Sequence, residues 1–176
     1  MIRIKENLSL FQELISCNNN LYLWTYSSDF KLSYTNCPED LAERDNTFLI
    51  NQSDVILDYA KNGLFPCILD CFLNILWIAA FERKDDKLFQ IHIIGPAFLG
   101  KNSYQNIKHK LDRRNYSVPA RLAVLKQLDS IPILPSNLLF QYAIMLHYCI
   151  TEEKITSQDI QYLSSVEKKE KKHDTP

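Results

Sequence analysis

The stretch "LNILWIAAFERKDDKLFQIHIIGPAFLG", residues 73–100, decides the fold. Two apolar runs flank a charged "ERKDDK" turn, and aromatic and β-branched residues recur in both, so the stretch reads as a hairpin stopped by Gly95-Pro96. It carries Trp77 and His92 with no catalytic partner beside them in sequence. That combination suits the floor of a sensing pocket better than a reaction centre.

Upstream, "CILDCFLNILWIAAFER" is long enough for two strands with a break near Leu73-Asn74, which adds a strand to the hairpin. Before it, "SDVILDYAKNG" predicts a short helix with Ser53 as cap and Gly63 at its close. "LYLWTYSSDFKLSYTNCP" predicts a second hairpin, Leu21 to Tyr26 and Lys31 to Asn36, around Ser27-Ser28-Asp29. "ENLSLFQELISCNNN" places Leu8, Phe11, Leu14 and Ile15 at helical spacing and ends at the asparagine cluster. The order is helix, two strands, helices, three strands.

Downstream the pattern turns helical. Ser103 and Ser117 are candidate caps for "SYQNIKHKLDRRN" and "SVPARLAVLKQLDS", the latter with Pro119 in its first turn and a Leu122, Leu125, Leu128 stripe. Pro132 and Pro135 bracket a joint before "NLLFQYAIMLHYCI", which is apolar around most of its circumference. A helix of that kind is buried in a core or an interface, so Leu138, Leu139, Tyr142, Met145 and Leu146 are the expected dimer contacts. A last weak helix runs from Thr156 or Ser157 with Ile160 and Leu163 as anchors and gives way to a lysine-rich tail.

The fold class expected is therefore α+β: an antiparallel sheet of about five strands covered by helices, over residues 1–100 with the opening helix. Residues 101–166 form a helical extension that packs on the sheet or pairs subunits, and 167–176 a tail or linker start. Together they make one regulatory domain. With 176 residues the chain is long enough to bury about two-thirds of its unfolded surface.

Composition narrows the function. A net charge of -1 gives no general field for nucleic acid or an anionic membrane, and three glycines leave no Gly-rich phosphate loop. The N-terminal "MIRIKENLSLFQELIS" lacks the apolar centre of a signal peptide, and the run 138–150 is too short to span a bilayer, so a cytoplasmic protein without membrane contact is expected. Cysteines 17, 37, 67, 71 and 149 are odd in number and lack zinc spacing, so they read as buried thiols, with no metal or cofactor. Cys37, Cys67 or Cys71 with His92, His109 or His147 would be needed for a thiol enzyme, but no local motif joins them, so no catalysis is expected.

The candidate ligand contacts are Tyr22, Trp24, Tyr26, Asp70, Trp77 and His92. Tyr22, Trp24 and Tyr26 share one strand face, where they line a cavity or form an aromatic cluster. Trp77, with Ile75 and Ala79, either stacks on a planar ligand or packs in the core. His92 faces opposite to Ile91 and Ile93, as a ligand contact or as part of a polar sheet face. Asp70, in an apolar strand, must be exposed or partnered.

The element order resembles PAS and GAF sensor domains. "LWTYSSDFKLSYTNCP", "LNILWIAAFERKDDKLFQIHIIGPAF" and "LLFQYAIMLHYCITEEKIT" further resemble the N-terminal region of AraC-type transcriptional regulators from Gram-positive bacteria. The resemblance implies a regulatory domain that senses a small-molecule effector, pairs as a homodimer, or does both, with DNA held only by a C-terminal helix-turn-helix region. Only 20 residues follow Thr156, too few for such a region. The alternative is a ligand-free dimerisation module.

Overall fold

The expected hairpin forms between residues 76 and 99, in a computed structural model that describes residues 2–71, 74–100, 103–113 and 117–164. β4 (Leu76–Lys84) and β5 (Lys87–Leu99) run antiparallel and turn at Asp85 and Asp86. Their φ values of 53° and 62° lie in the left-handed region, as a tight turn matched to strand twist requires. Contrary to the sequence reading, β5 does not stop at Gly95-Pro96. A bulge sets Leu76 against Ala97 and Ile78 against Ile94, so Gly95 and Pro96 both stand opposite Trp77, and a bulge tolerates a proline without an N–H. Gly95 is needed there: its φ is +149°, and an added Cβ would lie 2.7 Å from Trp77 Cε3.

The other elements follow in chain order. α1 (Ile2–Asn19) leads into the hairpin of β1 (Tyr22–Ser27) and β2 (Leu32–Thr35). α2 (Glu39–Ile50) and α3 (Ser53–Asn62) then cross to β3 (Cys67–Asp70). The "EDLAERDNTFLI" helix had no clear signature in a polar, charged stretch, and Gln52, not Ser53, occupies the cap position of α3. After β5 come α4 (Ser103–Asp112), α5 (Val118–Leu128), the two-residue β6 (Ile133–Leu134), α6 (Ser136–Thr151) and β7 (Gln161–Ser164). Ser117 caps α5 by accepting from the Ala120 N–H; the side chain of Ser103 and the tail 167–176 lie outside the described residues.

The strand order is β2-β1-β5-β4-β3-β7, with β6 paired to the end of β5. The first five strands form the expected antiparallel sheet. Two additions come from the stretch expected to be wholly helical. The predicted last helix is a 3-10 turn at Ser157–Asp159 followed by β7, which pairs parallel with β3; β6 pairs parallel with β5. The fold is thus α+β with a mixed sheet.

Side-chain alternation splits the core into two layers. Trp24, Tyr26, Leu69, Trp77, Phe81, Ile91 and Ile93 face one way, toward buried residues of α2, α3, α4 and α5. Leu21, Leu23, Ile68, Ile78, Ala80 and Ile94 face the other way, toward α1 and α6. The two covering helices on that second face run antiparallel: the Cys149 thiol donates to the Asn7 carbonyl (3.6 Å), and the Asn19 side-chain amide donates to the Tyr142 hydroxyl. Both faces need a helical cover because both are apolar.

That packing corrects the expected dimer contacts. Leu139, Tyr142 and Leu146 are buried in the chain's own second core layer, and Leu138 packs against it. Of the five, Met145 alone is classed as exposed. Much of the apolar surface of α6 is taken up by the chain's own sheet and α1.

Candidate functional site

The two-layer core separates residues the sequence grouped together. Trp24, Tyr26 and Trp77 lie on the face toward α2 and α3; His92 lies on the face toward α1. On the aromatic side the rings pack against one another. Trp24 meets Trp77 edge-on at 6.2 Å between centroids, Phe48 lies over Trp77 at 6.3 Å, and Tyr26 stacks on Phe30 at 4.3 Å. The Tyr26 hydroxyl donates to Asn46 Oδ1 (2.7 Å) and the Trp24 indole to the Gly95 carbonyl (3.3 Å). Tyr22 sits half-buried at the edge of this layer. These residues form the core of the domain.

Asp70 stands at the end of β3, two strands from β5, and accepts from the Tyr162 hydroxyl of β7 at 2.7 Å. Burial and the neighbouring carboxylate push the Tyr162 phenol upward, so it remains a donor at neutral pH. The pair fastens the edge strand. It contributes nothing to the surroundings of His92.

A groove opens on the opposite face. It measures about 640 Å³ and lies between the sheet and α1, within the range of small-molecule sites. Leu23 and Thr25 of β1, Glu82 of β4 and Gln90 and His92 of β5 line it from the sheet, and Leu8, Ser9 and Gln12 line it from α1. On one side the Tyr34 hydroxyl donates to Gln12 Oε1 (2.9 Å), tying the edge strand to the helix.

Two β-bulges enrich the groove. Between β1 and β2 the register passes from Thr25↔Tyr34 to Tyr26↔Leu32, leaving Ser33 as an extra residue; between β4 and β5 it passes from Glu82↔Gln90 to Arg83↔Leu88, leaving Phe89. A bulge puts two neighbouring side chains where the pleat allows one. Ser33 with Tyr34, and Phe89 with Gln90, accordingly all line the groove. Ordinary alternation along β4 parts Arg83 from Lys84. The Arg83 guanidinium reaches the Ala60 and Gly63 carbonyls at the end of α3, whereas Lys84 stays on the groove with its ammonium 3.6 Å from the Phe89 ring centroid.

Across the floor runs a chain of buried polar groups. Thr25 and His92 are direct cross-strand partners, and their side chains meet at 2.9 Å between Oγ1 and Nδ1. His92 Nε2 lies 2.9 Å from Glu82 Oε2. The consistent assignment has Nε2–H donating to the carboxylate while Nδ1 accepts the threonine hydroxyl. His92 is only 4% exposed, so this chain satisfies an imidazole that would otherwise cost free energy to bury. Of the residues picked from sequence, His92 is the one on the groove.

A hydroxyl, an imidazole and a carboxylate in line also occur in nucleophilic catalysis, but Thr25 is buried in a strand centre with its hydroxyl facing the ring. Two of the thiols are held in the protonated form. Burial pushes Cys67 to about 12, and burial with the nearby Asp45 carboxylate pushes Cys37 to about 12, so both stay protonated at neutral pH. His147 is buried on α6 near Glu153, and His109 is exposed on α4, neither on the groove. Among the described residues, no group of three His, Cys, Asp or Glu is placed to hold a metal ion, and no helix is long and apolar enough to cross a membrane.

No family model matches the sequence, and neither the curated proteins nor the solved structures provide a match.

Proposed function

We propose that this chain is a regulatory domain that binds a small-molecule effector in the groove beneath α1. The observation that carries the reading is the groove itself: apolar walls, a few convergent polar groups, and a helix as its roof. α1 both covers the groove and packs along α6, so an occupant that favours one seating of α1 also favours one arrangement of the helix pair. Such an effector acts only through its difference in affinity between two arrangements, typically about 1–3 kcal/mol. The likeness to AraC-type regulators supports placing this switch in bacterial transcription control, with DNA contact belonging to a helix-turn-helix region rather than to this domain.

A thermal-shift screen of metabolite-like compounds tests the reading when run on the parent and on Ser33→Trp. Ser33 is exposed on the rim, so the indole fills the groove without displacing core. Compounds that raise the Tm of the parent should leave Ser33→Trp unmoved. Equal shifts in both proteins, or no active compound, would count against the groove.

A second role, pairing of subunits, is favoured by one feature. Leu10 and Leu14 of α1, with Met145 and Tyr148 of α6, are exposed apolar side chains on the outer surface of the helix pair. Sedimentation should then show a dimer that Leu14→Glu and Met145→Glu dissociate. A parent chain that sediments as a monomer at 100 µM, roughly ten times a 10 µM Kd, removes this role.

A further inference from the structure

The net charge of -1 conceals a division along the chain. From Glu39 to Asn62, across α2 and α3, six acidic residues stand against two basic ones; from Lys101 to Ser130, around α4 and α5, seven basic residues stand against two acidic ones. All four helices cover the aromatic face of the sheet, through Leu49, Ile56, Ile107 and Leu128. One side of the molecule thus carries an acidic part and a basic part. Glu39, Asp40, Glu43 and Asp54 are exposed on the first, and Lys108, Arg113 and Lys126 on the second. Arg44 pairs with Asp45 in the acidic part and Arg121 with Asp112 in the basic part, whereas none of those seven exposed residues is in an ion pair among the described residues.

Apolar side chains continue the charges on both parts. On α2, Glu39 and Glu43 share a stripe with Ile50, an exposed residue two turns beyond Glu43. On α5, Val118, Leu122 and Lys126 recur at four-residue steps, and the two apolar residues are 58% and 60% exposed. The α2 stripe runs from acid to apolar and the α5 stripe from apolar to base. Laid antiparallel, they set acid against base and apolar against apolar. The spacing agrees: Glu43 and Ile50 are about 10.5 Å apart along their helix, and the same distance back from Lys126 reaches the level of Pro119, between Val118 and Leu122.

We infer that this side is a contact between two copies of the chain, with α2 of each packed antiparallel on α5 of the other. Because both helices lie on one side of the sheet, a single two-fold operation makes the contact twice. Lys126 of one copy faces Glu43 of the other, Ile50 enters between Val118 and Leu122, and Lys108 and Arg113 face the remaining acids. The apolar side chains supply affinity, while the charges set direction, since a parallel arrangement would lay carboxylates on apolar groups and leave the cations unanswered. The contact is on the other side of the sheet from α1 and α6, so it is independent of the groove and of pairing through those helices.

Sedimentation of the full chain carrying Leu14→Glu and Met145→Glu, run beside the parent, separates this contact from one through α1 and α6. A dimer is expected at about 100 µM chain in about 50 mM NaCl, with its Kd raised at least ten-fold in about 500 mM NaCl, where screening shortens the reach of charge. Glu43→Lys alone and Lys126→Glu alone should each raise the Kd at least ten-fold. An equimolar mixture of the two variants should recover the unreversed Kd as a heterodimer, because each reversed charge then meets its opposite, and that recovery also shows both variants folded. Leu122→Glu should leave a monomer. A chain that is monomeric at about 100 µM, a dimer indifferent to salt and to both reversals, or reversed variants that fail to recover on mixing overturns the contact. So does a monomer that binds phosphatidylglycerol vesicles through Lys108, Arg113 and Lys126, which would assign the basic part to an anionic membrane surface instead.

Discussion

His92 and Asp45 show two solutions to burying a titratable side chain. His92 is enclosed between a threonine hydroxyl and a carboxylate, so each ring nitrogen has a partner. Asp45 of α2, 4% exposed, has the Arg44 Nε at 3.0 Å, yet burial outweighs that partner and holds its carboxyl above the usual range. An unfolded aspartate ionises near ~3.9, so the folded state keeps the proton to higher pH. The stabilisation tied to this group is complete below that unfolded value and is lost as pH rises through the folded value. Asp45→Asn should therefore melt above the parent at pH 7.5, with the difference narrowing toward pH 4; scanning calorimetry at both pH values measures it. His92 could be singled out in sequence because it interrupts an isoleucine run. Thr25 and Glu82 carried the same kind of signal, a polar residue inside "LWTYS" or closing "WIAAFE", and only the fold shows that they meet it.

Elements with a strong period were legible and those fastened by tertiary contacts were not. The 73–100 hairpin, the break before it, the β1–β2 hairpin and α6 follow from alternation, turn residues and an apolar face. β7 was read as a helix because Ile160 and Leu163 are three apart, which suits a helical face. Its strand conformation comes from the unpaired edge of β3, from the Tyr162–Asp70 bond and from burial of Ile155 and Ile160 in the layer beneath α6. The bulges that build the groove were equally hidden, since an extra residue appears only when two strands are set side by side. If β7 is held this way, Ile160→Ala should cost about 2–5 kcal/mol, read from the urea midpoint. A cost below about 0.5 kcal/mol would mean that the edge strand contributes little.

At the scale of the whole molecule, the sheet is a partition with different work on its two sides. The side toward α2 and α3 carries the packed rings of Trp24, Tyr26, Phe48 and Trp77. The side toward α1 has core at α6 and open space where α1 passes over the bulged ends of the strands. Of the six residues singled out for ligand contact, Tyr22, Trp24, Tyr26 and Trp77 belong to the first side, Asp70 fastens the edge strand, and His92 alone touches the second. Sequence alternation told which residues share a face; it did not tell which face a helix would cover completely. A domain of this design should respond to an effector through α1, while its aromatic layer stays unchanged.

The most direct measurement is amide chemical-shift mapping of the 15N-labelled chain against the compounds that raise its Tm. Binding beneath α1 predicts shifts concentrated at Ser9, Gln12, Thr25, Ser33, Gln90 and His92, with Asn46, Phe48 and Trp77 unmoved. Shifts concentrated at Asn46, Phe48 and Trp77, with the amides around His92 silent, would contradict it and place the site in the aromatic layer.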